Sequence, residues 1–308
     1  MEVMGQNALI KSAFTFISFL VLVSFSQAQE KYFVLNEEHS SYTIKSYTLD
    51  TEELYAVNSQ VEIFNIFPKF KTDTRNGREI ILFSVLPDVE SLDLWEKIDL
   101  SDLADDTLSF QDLLKLKQLS LYELYSGTYN ENNKFLNEYK FVVKRHGEYY
   151  KAYNTLLQFF ALRDQPDMFN SVWGTINKEQ TPVTINSMAE YYRGIKSDFP
   201  LESYSDGYSS FDRLRDRREF LSRKFIIGNS EAYQFWSLTD WHMPSHLYEV
   251  DRGIDRFVYI PEKGIVGGSF DFYFYYHRNI IKLDMVKFRN NIFDEKVMMA
   301  NSMLGRSD

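Results

Sequence analysis

Residues 78–88 read REIILFSVLPD, in which an apolar run over residues 80–86 is interrupted only by Ser84 and is followed by turn-forming residues. Runs of this length that are rich in β-branched and aromatic residues are typical of β-strands. Three earlier stretches have the same character: KYFVLNE at 31–37, SYTIKSYTL at 41–49 and QVEIFNIFPKF at 60–70. Ahead of the run, Asn76-Gly77 favours a tight hairpin turn because asparagine and glycine tolerate positive φ. The stretch therefore predicts an antiparallel sheet over residues 31–89.

After this sheet, capping motifs and helical spacing predict the next elements. Ser109–Asp112 resembles a capping box, the reciprocal side-chain bonding that opens a helix, and Ser187–Glu190 resembles a second one. The dipeptide His146-Gly147 lies between two strand-forming stretches and predicts a two-residue hairpin. Residues 209–225 carry apolar side chains at helical spacing, which predicts a further helix.

The last third of the chain predicts more strands and a closing helix. Strand character returns over residues 231–238 and 256–277, where GSFDFYFYYH places aromatic side chains on both faces of a central strand. Gly267-Gly268 indicates a bulge or a close approach to another backbone. Apolar stripes from Asp284 to Leu304 predict a helix that docks on a sheet or on another helix. The predicted fold is α+β, with mostly antiparallel sheet(s) packed with several helices, including a docked C-terminal helix.

The N-terminal residues have the pattern of an export signal. Lys11 precedes an apolar run over residues 13–23, and small residues at Ser26 and Ala28 suit the positions that a signal peptidase reads. The alternative, a retained anchor, needs roughly 20 apolar residues, and this run is shorter. We therefore expect cleavage of the signal peptide, residues 1–28, no membrane span afterwards, and a periplasmic or extracellular location.

The exported α+β region, residues 29–308, is long enough to bury a core as one large domain or as two. Residues 127–134, GTYNENNK, are the most loop-like stretch and the best candidate for a domain boundary. The chain has no cysteine, which rules out thiol catalysis, cysteine-zinc sites and lipid attachment through a cysteine. Low alanine with abundant Phe, Tyr, Asn, Lys and Ile is typical of an AT-rich bacterial genome.

The net charge of −10 makes nucleic acid an unsuitable partner. A basic protein, a cation or an uncharged glycan remains compatible with an acidic surface. Aromatic residues make up 17% of the chain, and exposed Tyr or Trp rings suit a protein or glycan partner. The simpler explanation for most of these rings is the core. The sequence identifies no cofactor.

The stretch TDWHMPSHLYEVD, residues 239–251, is the weak candidate for a catalytic or metal site. His242 and His246 can share a metal across about 5–6 Å if they lie on one helix. Pro244 lies between them and disfavours that helix, and an extended chain separates them by about 13 Å. In an irregular loop Asp240, Glu249 and Asp251 complete a coordination shell, and a carboxylate serves as base for bound water. The alternative is a proline-turned loop with no site.

The stretch RLRDRREFLSRK, residues 213–224, has six basic and two acidic residues in an acidic chain. Arginine forks suit carboxylates and phosphates, so a binding role is one interpretation and a solvated, ion-paired helix face is the other. The weak binding candidates are Arg213, Arg215, Arg217 and Arg218.

Two functions follow from these patterns. The first is an exported protein of the periplasm or cell surface that binds a protein or glycan and has no catalytic role. The alternative is a secreted hydrolase, possibly assisted by a metal, with its site around Asp240, His242, His246 and Glu249.

Overall fold

The structure is a computed structural model. It describes residues 30–70, 78–103, 106–116, 137, 139–164, 174–192, 219–237 and 253–305. Lys31–Asp308 forms one compact unit. The predicted signal peptide, the Asn76-Gly77 turn and the boundary near 127–134 all lie outside the described residues.

Strands dominate the described chain. In chain order they are β1 Lys31–Val34, β2 Tyr42–Asp50, β3 Gln60–Pro68, β4 Arg78–Leu86, β5 Trp95–Ile98, β6 Thr107–Leu108, β7 Tyr139–Arg145, β8 Glu148–Ala152, β9 Asn154–Arg163, β10 Thr175–Asn177, β11 Glu219–Ile227, β12 Ser230–Ser237, β13 Arg256–Ile260, β14 Gly264–Ser269 and β15 Met298–Met299. The α-helices among the described residues are α1 Glu52–Tyr55, α2 at 110–116, α3 Ile185–Tyr192, α4 Asp271–Tyr276, α5 Arg278–Ile281 and α6 Met285–Phe293. Leu100–Leu103 and Asn301–Met303 form 3₁₀ turns.

The strands form three five-stranded sheets. The first sheet has the order β5-β8-β7-β1-β6, the middle sheet β10-β9-β4-β3-β2, and the third sheet β11-β12-β13-β14-β15. Strand β1 runs parallel to β6 and β7, and β10 runs parallel to β9. The other strand pairs of the described sheets are antiparallel. The broad prediction of an α+β protein with mostly antiparallel sheets is confirmed.

Strand β4, the stretch REIILFSVL, explains why the sheets stack. Its side chains alternate between two apolar layers, so it is buried from Glu79 to Leu86. Ile80 and Leu82 face the layer shared with the third sheet, whereas Ile81 and Phe83 face the layer shared with the first sheet. A strand with two apolar faces is stable only when both faces are covered. The middle sheet therefore lies between the other two.

The middle and third sheets are joined at two margins, by a backbone bridge at one and by a carboxylate at the other. At one margin, Leu49 of β2 forms an antiparallel bridge with Ala300, next to β15. At the other margin, the buried carboxylate of Glu219 on β11 accepts hydrogen bonds from the backbone N–H groups of Thr175 (2.9 Å) and Gly174 (3.3 Å) beside β10. Where the edges of the two sheets meet, the carboxylate oxygens of Glu219 thus accept the backbone hydrogen bonds that the carbonyl groups of a neighbouring strand would otherwise accept.

Between these margins, two buried amides cross the apolar layer. Asn65 of β3 bonds to the backbone N–H and C=O of Ile265 on β14. Gln158 of β9 accepts a hydrogen bond from the backbone N–H of Ile254 at 2.7 Å. Each amide satisfies backbone groups that burial would otherwise leave unpaired, so these contacts fix how the two sheets face each other.

Several local predictions are confirmed. The strand predictions for the first 90 residues match β1 to β4. His146 and Gly147 have φ of 51° and 88° and join β7 to β8 in a two-residue turn. Ser109 and Asp112 form the predicted box, in which the backbone N–H of Ser109 donates to Asp112 Oδ2 (3.0 Å) and that of Asp112 donates to Ser109 Oγ (3.2 Å). A Cβ on Gly267 would lie 2.6 Å from the carbonyl oxygen of Met298, which confirms the close backbone approach.

Four local predictions are wrong in part. The described end of the predicted 209–225 helix is strand β11, because residues 219–227 pair with β12. Ser187, the predicted start of the second capping box, lies inside helix α3; Thr184 precedes that helix, and its Oγ1 accepts from the backbone N–H of Ser187 at 3.1 Å. Residues 271–276 form helix α4 where a strand was predicted. Phe272 and Phe274 are both buried in it. A helix that is apolar on every side has no helical spacing of apolar and polar residues by which the sequence could reveal it.

The helix predicted from Asp284 to Leu304 is also shorter than expected. Asp284 caps it as a good N-cap does, accepting from the backbone N–H groups of Val286 (3.0 Å) and Lys287 (3.1 Å), but α6 ends at Phe293. Glu295 then adopts a φ of 52°, and its carbonyl accepts a hydrogen bond from Gln234. Tertiary bonding therefore overrides helical spacing, and the following residues add strand β15 to the third sheet.

Candidate functional site

The sequence-predicted site residues lie outside the described residues. They are Asp240, His242, His246, Glu249, Arg213, Arg215, Arg217 and Arg218. The described end of the same basic stretch is strand: the Arg223 guanidinium donates to Gln234 Oε1 at 2.9 and 2.7 Å. Across the described ranges, no group of three or more His, Asp or Glu residues is arranged to hold a metal ion. No helix within those ranges is long and apolar enough to cross a membrane.

A buried ion pair joins strand β13 to helix α4. The guanidinium of Arg256, at the start of β13, binds both carboxylate oxygens of Asp271, at the start of α4. Their side chains are 2% and 3% exposed. Two charges in such a setting need further hydrogen bonds to offset their desolvation, and the phenol of Tyr55 supplies one, at 2.9 Å to Asp271 Oδ1. Burial, followed by the charge of Asp271, raises the pKa of Tyr55 well above its usual value.

The same network fixes the first turn of α4. The first N–H groups of a helix lack intrahelical partners. Here the backbone N–H of Phe272 donates to Asp255 Oδ2 at 3.0 Å, and that of Phe270 donates to the Tyr55 hydroxyl at 2.8 Å. Arg256 also donates through Nε to the carbonyl of Lys296 at 3.0 Å. A six-residue helix is thereby held in one position by side chains from distant parts of the sequence.

Tyr273 fixes the middle of α4. Its hydroxyl donates to the carbonyl of Pro87, just after β4, and accepts from Asn154 Nδ2 at 3.1 Å. Burial raises the pKa of Tyr273, so the phenol stays protonated and keeps donating. Asn154 is held in turn by Asn137, whose Nδ2 donates to Asn154 Oδ1 at 2.9 Å. Helix α4 is therefore tied to the middle sheet as well as to the third.

At the end of this helix, His277 presents a half-buried imidazole. Its Nδ1 lies 2.9 Å from the carbonyl oxygen of Tyr273, an acceptor, so we assign the ring proton to Nδ1. That tautomer leaves Nε2 as an acceptor. The ring packs on Tyr273 and Tyr276, with centroid distances of 4.7 and 4.9 Å. Burial lowers the pKa of His277, and the bond to Tyr273 and the charge of Asp88 oppose this shift.

Around His277, aromatic and apolar side chains reach the surface. We call Tyr275, Tyr276, His277, Arg278 and Ile280 the α4–α5 corner. The first four are half-buried and Ile280 is exposed. The Arg278 guanidinium lies 4.3 Å from the centre of the Tyr275 ring and donates to the Tyr275 carbonyl at 2.9 Å, so it is held over the aromatic surface. The corner combines rings, a cation and a free acceptor on a rigid support.

Sequence reasoning missed this corner because it assigned residues 270–277 to a strand. The available signal was the run Tyr275-Tyr276-His277-Arg278, in which aromatic and polar side chains suited to recognition are adjacent. The pairing of Arg256 with Asp271 gave no local signal, because it depends on the fold. In comparisons with known proteins, no family model, no curated protein and no solved structure matches this chain.

Proposed function

We propose that this chain is an exported binding protein that recognises a protein or glycan through the α4–α5 corner and has no catalytic role. The observation that carries the proposal is the half-buried Tyr276–His277 pair at the end of a helix that a buried ion pair holds in place. Export is supported by the signal pattern in residues 1–28. The location that follows from it is the periplasm or the cell surface.

The chemistry of the corner suits recognition. Tyrosine and arginine are enriched at interface hot spots because they offer a large contact area with a polar tip. The neutral imidazole of His277 adds an acceptor at Nε2 for a hydroxyl or amide of the partner. Because α4 is anchored by Arg256 and Tyr273, these groups are ordered before binding, which reduces the entropy lost in the complex.

The first experiment is a binding screen with purified residues 29–308 against an array of glycans and against the exported proteins of the cell that makes it. Tyr276→Ala and His277→Ala should each weaken any interaction that uses the corner. Tyr149→Ala is the matched control, because Tyr149 is also half-buried but lies on β8 in the first sheet. Equal affinities for all variants would place recognition elsewhere.

A second experiment addresses the non-catalytic part of the proposal. Hydrolysis by the purified protein that a single substitution such as His242→Ala or Glu249→Gln abolishes would overturn it. That outcome would favour the secreted hydrolase instead.

A further inference from the structure

We propose that the occupant of the α4–α5 corner is an acidic segment of another protein. This inference rests on the proposed function and names the chemistry of its partner. It is carried by the surface next to the corner, where exposed apolar side chains alternate with cations although the chain as a whole carries a net charge of −10.

The stretch that begins at the corner carries mostly positive charges, and from outside it the carboxylate of Asp88 lies near His277. Residues 275–289 contain four basic side chains and one acidic one, and the acidic one, Asp284, is used to cap α6. Lys282 and Lys287 are exposed, and neither forms an ion pair with another described residue. Lys282 and Lys287 are therefore available to attract an anionic molecule. This attraction acts over the Debye length, about 8–10 Å.

The apolar side chains of the same surface are unusually exposed. Val286 is 72% exposed and Ile280 is 53% exposed, on the adjacent helices α6 and α5. Single exposed aliphatic residues are common on protein surfaces. Here, however, the two lie on either side of Lys282 in the sequence and follow Tyr276 and His277 within ten residues. An acidic segment with alternate apolar residues matches this pattern, because its carboxylates meet the lysines while its apolar side chains cover Ile280 and Val286.

A protein segment suits this surface better than a lipid surface. A helix that lies in a membrane needs a broad apolar face, and α6 already buries Phe288 and Ile292 in the core. The exposed apolar residues of α5 and α6, Ile280 and Val286, are separated along the chain by the charged Lys282 and Asp284. A short extended or helical peptide fits an area of this kind.

Site-specific photo-crosslinking in the cell that makes the protein tests the proposal. Ile280 is replaced by the photoreactive residue p-benzoylphenylalanine, and the cross-linked peptide is identified by mass spectrometry. Ile226 is the matched control position, because it is an aliphatic residue of similar exposure (64%) at the end of strand β11. We expect an adduct from position 280 to a segment of another protein with net negative charge, and none to that segment from position 226.

Charge reversal completes the test. In the Lys282→Glu, Lys287→Glu double variant the adduct should fall by about tenfold, and it should also fall when salt is raised. Lys224→Glu, at an exposed lysine on β11, should leave it unchanged.

The outcomes separate the two proposals. If position 280 gives no adduct above position 226, the α4–α5 corner is not a binding site and the proposed function fails there. If the adduct forms with a neutral or basic protein segment, a lipid or a second copy of this chain, the corner binds but the acidic partner is wrong.

Discussion

The side-chain amide of Asn65 pairs with the backbone of Ile265 as a neighbouring strand would. Its Oδ1 accepts from the Ile265 N–H at 2.8 Å, and its Nδ2 donates to the Ile265 carbonyl at 2.9 Å. The asparagine side chain is fully buried in the apolar layer between the middle and third sheets. Buried backbone groups need partners, and here one side chain supplies both. This amide is therefore one of the contacts that set the relative position of the middle and third sheets.

We predict that Asn65→Leu lowers the free energy of unfolding by about 2–5 kcal/mol, because it leaves two buried backbone groups unpaired. Urea unfolding of the purified protein measures this. Asn58→Leu is the control, since Asn58 is exposed and forms no hydrogen bond with another described residue. Equal urea midpoints for the two variants would show that the amide does not hold the sheets together.

We predict that Arg256→Met and Asp271→Leu each destabilise the fold by about 3–5 kcal/mol, because each leaves one buried charge without its partner. The free energy of unfolding of the double variant should fall by much less than the sum of the two single losses, since neither charge remains. Chemical denaturation of all three variants measures the coupling. Arg78→Met breaks the exposed pair with Glu262 and should cost less than about 1 kcal/mol. Additive losses at Arg256 and Asp271 would contradict the role given to the pair.

The position of His277 predicts how stability depends on pH. Burial lowers its pKa below the usual 6.5, so the unfolded chain binds this proton more readily than the folded one. The stability that His277 contributes is therefore present above about pH 6.5 and is lost as the pH falls through the folded pKa. Urea midpoints at about pH 7.5 and about pH 5 should differ less in His277→Gln than in the unmodified protein.

Tyr276→Phe is the control for this measurement, because it changes the neighbouring ring and keeps the imidazole. It should retain the pH dependence of the unmodified protein. If the urea midpoint of His277→Gln depends on pH as much as that of the unmodified protein, other groups control the pH dependence.

For the stretch DWHMPSHLYE we expect no stoichiometric metal, because Pro244 disfavours the helix that would bring His242 and His246 together. Elemental analysis of residues 29–308, purified without chelator or histidine tag, measures this. The His242→Ala, His246→Ala double variant is the comparison. Near-stoichiometric metal that the double variant loses would favour the hydrolase alternative.

Local patterns predicted part of this fold well, and the reason is physical. Strands β1 to β4 and the His146-Gly147 turn follow from side-chain alternation and backbone freedom within a few residues. Helix α4 does not, because its aromatic residues are buried on nearly every side and give no helical period. The ties that hold it, such as Arg256 with Asp271, depend on strand order, which one sequence does not reveal. The α4–α5 corner was missed for the same reason.

The placement of β1 has a consequence for the order of folding. This strand starts at Lys31 and lies inside the first sheet, with β7 as one parallel neighbour through the pairing of Lys31 with Tyr139. The sheet therefore cannot close until more than one hundred later residues have been synthesised, and long-range pairings of this kind form slowly. The first strand to be synthesised is therefore among the last to have both of its neighbours in place.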